Sequence, residues 1–256
     1  MFGRKQLAIL VAEFLGTGAL ALVMLSVQHS TIGLPYFVAL LAGLTVAVMT
    51  IVIGRGGAGH FNPAITVGMW TVRQIKTIPA ISYIVVQMLG AWAAYYLYTY
   101  FVRTKLSPVG GHYDAHILVA EAVGAFVLAL AWSAAVFGKY WSSKAAASIG
   151  AAYVLAIVIA SAAGIGIVNP AIALSMRAFD VFGSMGWGTY VLGPVLGAIV
   201  AFNLYALLFS DQGSLAGVKA VVNSFGRTTT GSKAATVRAE TPRRRTTRRR
   251  NTRRAR

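Results

Sequence analysis

Cysteine is absent from this chain of 256 residues, and charged residues make up only 11% of it. The first absence excludes disulfide frameworks, thiol nucleophiles and cysteine-bound metal sites. The second excludes an ordinary soluble domain, in which about a quarter of the residues are charged. Hydrophobic residues instead account for 57% of the chain. This composition is that of a membrane protein.

Acidic residues are also scarce, with 6 against 23 lysines and arginines, and the net charge is +17. A charge of this size is typical of nucleic-acid-binding proteins. Here, however, 13 of the basic residues and one acid lie in Lys219–Arg256. The chain therefore divides into an apolar body, residues 1–212, and a basic tail, residues 213–256. No nucleophile–base pair or phosphate-binding loop is visible, so the sequence indicates no enzyme, cofactor or metal site.

Six apolar stretches in the body are long enough to cross a bilayer as helices, which takes about 20 residues. They are Leu7–Val27, Tyr36–Ile53, Pro79–Val102, His116–Phe137, Lys144–Ala163 and Trp187–Phe209. Six spans place both termini on one side of the membrane. The loops of that side carry most of the basic residues, so the positive-inside rule makes it the cytoplasmic side of the cell membrane.

Two shorter apolar pieces, Asn62–Val72 and Asn169–Arg177, are too short to span. Each begins with Asn-Pro-Ala, at Asn62-Pro63-Ala64 and Asn169-Pro170-Ala171. Asparagine is a good N-cap and proline suits the first helical turn. Each motif therefore predicts the start of a half-helix, and both asparagines can offer amide N–H donors to a passing molecule.

The two halves of the body, 7–105 and 115–212, repeat each other. "AEFLGTGALAL" from Ala12 returns as "AEAVGAFVLAL" from Ala120, and Asn62 returns as Asn169 at almost the same spacing. Each half has three spans and one half-helix, so the second half is inserted upside down. Inverted repeats with broken helices are a transport architecture in which the half-helix ends meet near the membrane midplane. Two positive helix ends at that point repel cations and admit neutral hydrogen-bonding solutes.

These motifs also carry a family resemblance. With "AEFLGT", "GAGHFNPAIT", "YIVVQMLGA" and "GPVLGA", residues 7–209 resemble an aquaporin of the major intrinsic protein family. The resemblance implies an all-α fold of six transmembrane helices and two re-entrant half-helices. It also implies a homotetramer with one pore per subunit, through which water and small neutral solutes pass without an enzymatic step.

The resemblance assigns four residues to the selectivity filter, Ala42, Ile157, Gly166 and Ile172, and here the sequence departs from the usual pattern. Most members have arginine where this chain has Ile172, and water-selective members have an aromatic residue and a histidine at the first two positions. The four residues predict a wide, apolar filter that passes water and solutes such as glycerol, urea and boric acid, with weaker proton exclusion. Arg177 is a candidate for the pore mouth; the alternative is a solvated charge at the end of a half-helix.

Three charged or titratable features allow more than one interpretation. Glu13 and Glu121 lie inside spans, where carboxylates suggest a proton relay; in the family such glutamates hold the re-entrant loops, as we expect here. His60 is interpreted as a loop-packing residue. The basic tail is predicted to be disordered and cytoplasmic, where it can lie on anionic lipid headgroups; without interleaved aromatics, binding to nucleic acid is not favoured.

Two rival functions remain. One is an ion- or proton-coupled secondary transporter that uses Glu13 or Glu121. The other is a non-conducting membrane organiser, whose pore would be closed by packed side chains.

Overall fold

The computed structural model describes residues 3–30, 35–54, 59–108, 113–179 and 186–210. All of them belong to one unit, Met1–Ser214. The predicted tail, 213–256, lies outside the described residues, so its disorder and its lipid contact stay predictions.

The described residues form eight α-helices and one π-helical turn. In chain order the helices are α1 (Arg4–Gln28), α2 (Pro35–Val52), α3 (Pro63–Thr71), α4 (Thr77–Val102), α5 (Ala115–Phe137), α6 (Ser142–Ala160), α7 (Pro170–Ser175) and α8 (Gly193–Phe209). The π-helical turn, Gly188–Leu192, leads directly into α8. Six helical segments are long and apolar enough to cross a membrane, at the six places predicted, and α3 and α7 are the two half-helices. The predicted fold class is confirmed.

The two repeats exchange their half-helices. α3, from the first half, packs mainly against α8, whereas α7, from the second half, packs mainly against α4. Within each half the first and last helices pair, α1 with α4 and α5 with α8. This exchange brings the N-termini of α3 and α7 together between the halves.

Glycine allows the second helices of the two halves, α2 and α6, to approach closely. A Cβ atom on Gly150 would lie 2.7 Å from the Gly43 carbonyl oxygen and 2.8 Å from the Ala47 Cβ, and a Cβ on Gly43 would meet the Gly150 carbonyl. Gly43 and Gly150 are as far apart in the chain as the two motif asparagines, so they are equivalent positions of the repeat. Small residues at a crossing point allow the backbones of two membrane helices to approach each other closely.

The outer surface of the bundle is apolar. Large side chains with half or more of their surface exposed include Leu44, Trp92, Tyr96 and Val200. In a soluble protein so much exposed apolar surface would drive association. Around six membrane-spanning helices such a surface suits the hydrocarbon core of a bilayer.

Candidate functional site

Each Asn-Pro-Ala motif caps its half-helix. The Asn62 side-chain oxygen accepts a hydrogen bond from the Ala64 amide at 2.9 Å, and the Asn169 oxygen accepts one from the Ala171 amide at 3.0 Å. Pro63 and Pro170 occupy the first helical position, where proline loses nothing because that N–H has no partner within the helix. The local sequence therefore starts both half-helices as predicted.

The two asparagines also brace each other's loops. Asn62 Nδ2 donates to the Val168 carbonyl at 3.0 Å, and Asn169 Nδ2 donates to the Phe61 carbonyl at 2.9 Å. Each carbonyl belongs to the residue that precedes the opposite motif. The motifs of the two halves are therefore in contact. One side-chain N–H of each asparagine donates to a backbone carbonyl of the opposite loop and not to a passing solute. We call this meeting point the waist.

The residues before the asparagines have left-handed backbone conformations, with φ of 47° at Phe61 and 50° at Val168. Such values are uncommon for any residue but glycine, and for a β-branched valine they are outliers. Amides of both loops donate to two buried carboxylates.

Glu13 and Glu121 are those carboxylates, and both are fully buried. Glu13 accepts hydrogen bonds from the amides of Gly59 (2.6 Å), His60 (2.9 Å) and Phe61 (2.8 Å), and one from Gln87 Nε2 (2.7 Å). Glu121 accepts from the amides of Ile167 (2.7 Å) and Val168 (2.5 Å). Charge-assisted bonds of this kind fix a loop strongly. Both carboxylates therefore hold amides of the re-entrant loops, and their role as loop supports stays a prediction.

His60 is buried between aromatic rings. Its ring lies 5.2 Å from that of Tyr83 and 5.4 Å from that of Trp132, and its Nδ1 is 3.1 Å from the Thr66 hydroxyl. Thr66 in turn is hydrogen-bonded to Gln87. A packed histidine with these neighbours fits the interpretation of His60 as a loop-packing residue.

The four candidate filter residues are all buried, and Ala42, Ile157 and Ile172 have no exposed surface at all. Gly166 has φ +69°, and a Cβ there would lie 2.5 Å from the Ile157 carbonyl oxygen, so these two residues are adjacent. Ala42, Ile157 and Ile172 belong to the same buried apolar cluster. In the structure Ala42, Ile157 and Ile172 are thus closed to solvent, and the width of the filter stays a prediction.

The sequence profile of the family described as major intrinsic protein matches residues 4–205. The chain belongs to this family. Aquaporin Z of Photorhabdus laumondii is 29% identical over 227 residues, covering 79% of this chain and 98% of the relative. A glycerol uptake facilitator protein-like 6 of Lactiplantibacillus plantarum is 27% identical over 205 residues, covering 75% of this chain and 93% of the relative.

A solved structure shares the fold. The X-ray structure of the aquaglyceroporin from Plasmodium falciparum superposes with a TM-score of 0.67 over 78% of this chain and 95% of that one, at 18% identity. Membership of the family makes this chain a multi-pass membrane protein of a family of channels.

In this major intrinsic protein Arg177 lies just after the second half-helix, with φ of 54°. Its side chain is exposed, and its Nη1 donates to the Leu106 carbonyl at 3.0 Å. Leu106 follows α4 and its side chain is buried in the core. The guanidinium thus ties the segment after α4 to the end of α7.

We expect Arg177→Ala to leave solute permeability unchanged and to lower the unfolding free energy by about 1 kcal/mol, the net value of one such hydrogen bond. Thermal unfolding in detergent and solute uptake into vesicles would measure the two effects. A fall in glycerol uptake that Arg177→Lys restores would contradict this expectation and place the charge at the pore mouth.

Two residues at the waist were not identified from the sequence as site residues. Gln87 entered only as part of the family motif "YIVVQMLGA", yet it donates to Glu13. Tyr153 was not considered, and its hydroxyl accepts a hydrogen bond from Asn169 Nδ2 at 3.1 Å. The available signal was spacing, since Tyr153 precedes Ile157 by four residues and so shares its helix face.

Proposed function

We propose that this chain is a passive channel for water and small neutral solutes of the size of glycerol, urea and boric acid. The observation that carries the proposal is the waist, where two asparagine-capped half-helices from inverted halves meet end to end inside a bundle of six spans. Irregular backbone at such depth is tolerated only where it is buried in protein or lines a cavity. The names of the relatives, an aquaporin and a glycerol facilitator, support both kinds of permeant.

The chemistry of the waist favours neutral permeants. The half-helix ends contribute partial positive charge, which disfavours cations. The second N–H of Asn62 has no partner among the described residues and is available to a hydroxyl or a water molecule. Because Ile172 replaces the arginine usual in the family, we propose that proton exclusion depends on the waist and is weaker than in members that have that arginine.

We further propose a homotetramer in the cell membrane, with both termini cytoplasmic and no enzymatic activity. The apolar outer surface supports contacts with lipid and neighbouring subunits. The distribution of basic residues supports the orientation. The basic tail, which lies outside the described residues, would then face the anionic headgroups of the inner leaflet.

A non-conducting membrane organiser is the second candidate, because one observation favours it. Ala42, Ile157 and Ile172 are closed to solvent, and apolar constrictions can block a pore by dewetting. The coupled transporter has less support, since the Glu13 and Glu121 carboxylates are already occupied by backbone amides.

Stopped-flow light scattering on proteoliposomes separates these candidates. We expect faster osmotic shrinkage than in protein-free vesicles, followed by faster re-swelling with glycerol, urea and boric acid. Uptake should have the same rate with and without a proton gradient. Rates equal to those of protein-free vesicles, from protein that elutes as a folded oligomer, would contradict the channel and favour the organiser.

A further inference from the structure

Tyr153 is the largest side chain that is fully buried among the described residues, with 2% of its surface exposed. It lies in the middle of α6, and its hydroxyl is 3.1 Å from Asn169 Nδ2. A buried tyrosine hydroxyl needs a hydrogen-bond partner. Here the partner is the side chain that caps the second half-helix.

The hydrogen bonds of the two asparagines differ because of this contact. An asparagine amide has two N–H donors. Asn62 uses one of them, on the Val168 carbonyl, whereas Asn169 uses both, on the Phe61 carbonyl and on the Tyr153 hydroxyl. The Tyr153 hydroxyl therefore occupies the position that the oxygen of a water molecule or a solute would take at Asn169.

The repeat gives Tyr153 an equivalent position in the first half of the chain. Val46 in α2 precedes Tyr153 by the same spacing that separates Asn62 from Asn169, so it holds the equivalent position in the first half. Val46 is also buried, and α2 crosses α6 at the equivalent glycines, Gly43 and Gly150. The same place in the bundle thus has a valine in the first half and a much longer aromatic side chain in the second.

We propose that Tyr153 is the specificity-determining residue of the pore, and that its ring and hydroxyl set the passage at the waist. This inference rests on the proposed channel function. A permeant must displace the hydroxyl from Asn169 and pass the ring. The barrier therefore rises with solute size at the waist, inside the four outer filter residues. The permeants that this favours are water and the smallest neutral hydroxyl or amide compounds.

The test compares Tyr153→Val with the wild-type chain in proteoliposomes, using water, urea and glycerol. Valine copies the residue at the equivalent place in the first half. We expect glycerol permeability to rise about tenfold, equivalent to about 1.4 kcal/mol of barrier, and water permeability to rise less. Tyr153→Phe removes the hydroxyl and keeps the ring, so we expect a smaller rise in glycerol permeability.

Tyr98→Val and Tyr98→Phe are the matched controls. Tyr98 is a buried tyrosine of α4 whose ring lies 6.0 Å from that of His29, at the end of α1. These variants should leave the ratio of glycerol to water permeability unchanged. Elution as a folded oligomer and the helical circular dichroism signal check that each variant is intact.

The outcomes separate the two proposals. A wild-type channel whose permeabilities are unchanged in Tyr153→Val would overturn the role of Tyr153 and leave the channel function standing. If neither intact protein conducts more than empty vesicles, both proposals fail. A variant that conducts glycerol where the wild type conducts only water would support the role of Tyr153 and would remove glycerol from the proposed permeants.

Discussion

Glu13→Gln is expected to lower the unfolding free energy by about 4 kcal/mol, because two buried donors lose a charged acceptor and each such hydrogen bond contributes about 2 kcal/mol. The carboxylate accepts bonds at both oxygens, two at each. An amide at this position keeps one acceptor and turns an NH₂ group toward two other donors. The strained turn at Phe61 then loses part of its support. In a chain of this size the midpoint of thermal unfolding should fall by about 10 °C.

Glu121→Gln is the matched comparison, because it lies at the equivalent position of the second half. The Glu121 carboxylate accepts one amide at each oxygen, so the substitution breaks one accepted hydrogen bond instead of two. We expect about half the loss of stability. Both variants should retain the wild-type ratio of solute uptake between acidic and neutral pH. A stable variant whose pH dependence had vanished would instead identify a proton relay.

Gly150→Val is expected to destabilise the protein by about 3 kcal/mol, at the upper end for an overpacked core. The added side chain would meet the backbone carbonyl of Gly43 and the Cβ of Ala47, neither of which can rotate away. α2 and α6 would have to separate, and both carry candidate filter residues. The midpoint of thermal unfolding in detergent, followed by loss of the folded elution peak, measures the effect.

Gly3→Val is the control, because it makes the same glycine-to-valine change at a position where a Cβ atom has no neighbour within 4 Å. Its unfolding midpoint should match that of the wild type. Equal stability of Gly150→Val and Gly3→Val would mean that the crossing of α2 and α6 can widen without cost. The close glycine contact would then not be needed for packing.

Hydrophobic length and the repeat spacing were sufficient to predict the fold. In a bilayer, long apolar segments of this kind are stable as transmembrane helices. The recurrence of Asn-Pro-Ala at the spacing of the repeat indicates two inverted halves. The loop support was predictable from family resemblance for Glu13 and Glu121. The exact ends of the helices could not be predicted, since α7 ends at Ser175 although the apolar stretch of the sequence continues beyond it.

Side-chain packing at the centre could not be predicted from the sequence. The residue types at Ala42, Ile157, Gly166 and Ile172 predict a wide filter, and in the structure these four residues are buried. Whether small apolar residues leave a hole or close on each other depends on the distances between helices, and no motif encodes these. Tyr153 was missed for the same reason, because its partner, Asn169, is distant in sequence and adjacent only in the folded bundle.

The reciprocal asparagine bonds have a consequence for biosynthesis. When the first half leaves the ribosome and enters the bilayer, the Asn62 amide and the Phe61 carbonyl have no partner, because Val168 and Asn169 come much later in the chain. The first re-entrant loop therefore reaches its final form only after the second one has been made and inserted. Neither half can mature alone. A chain truncated before Val168 would leave the Asn62 side-chain amide and the Phe61 carbonyl without these partners.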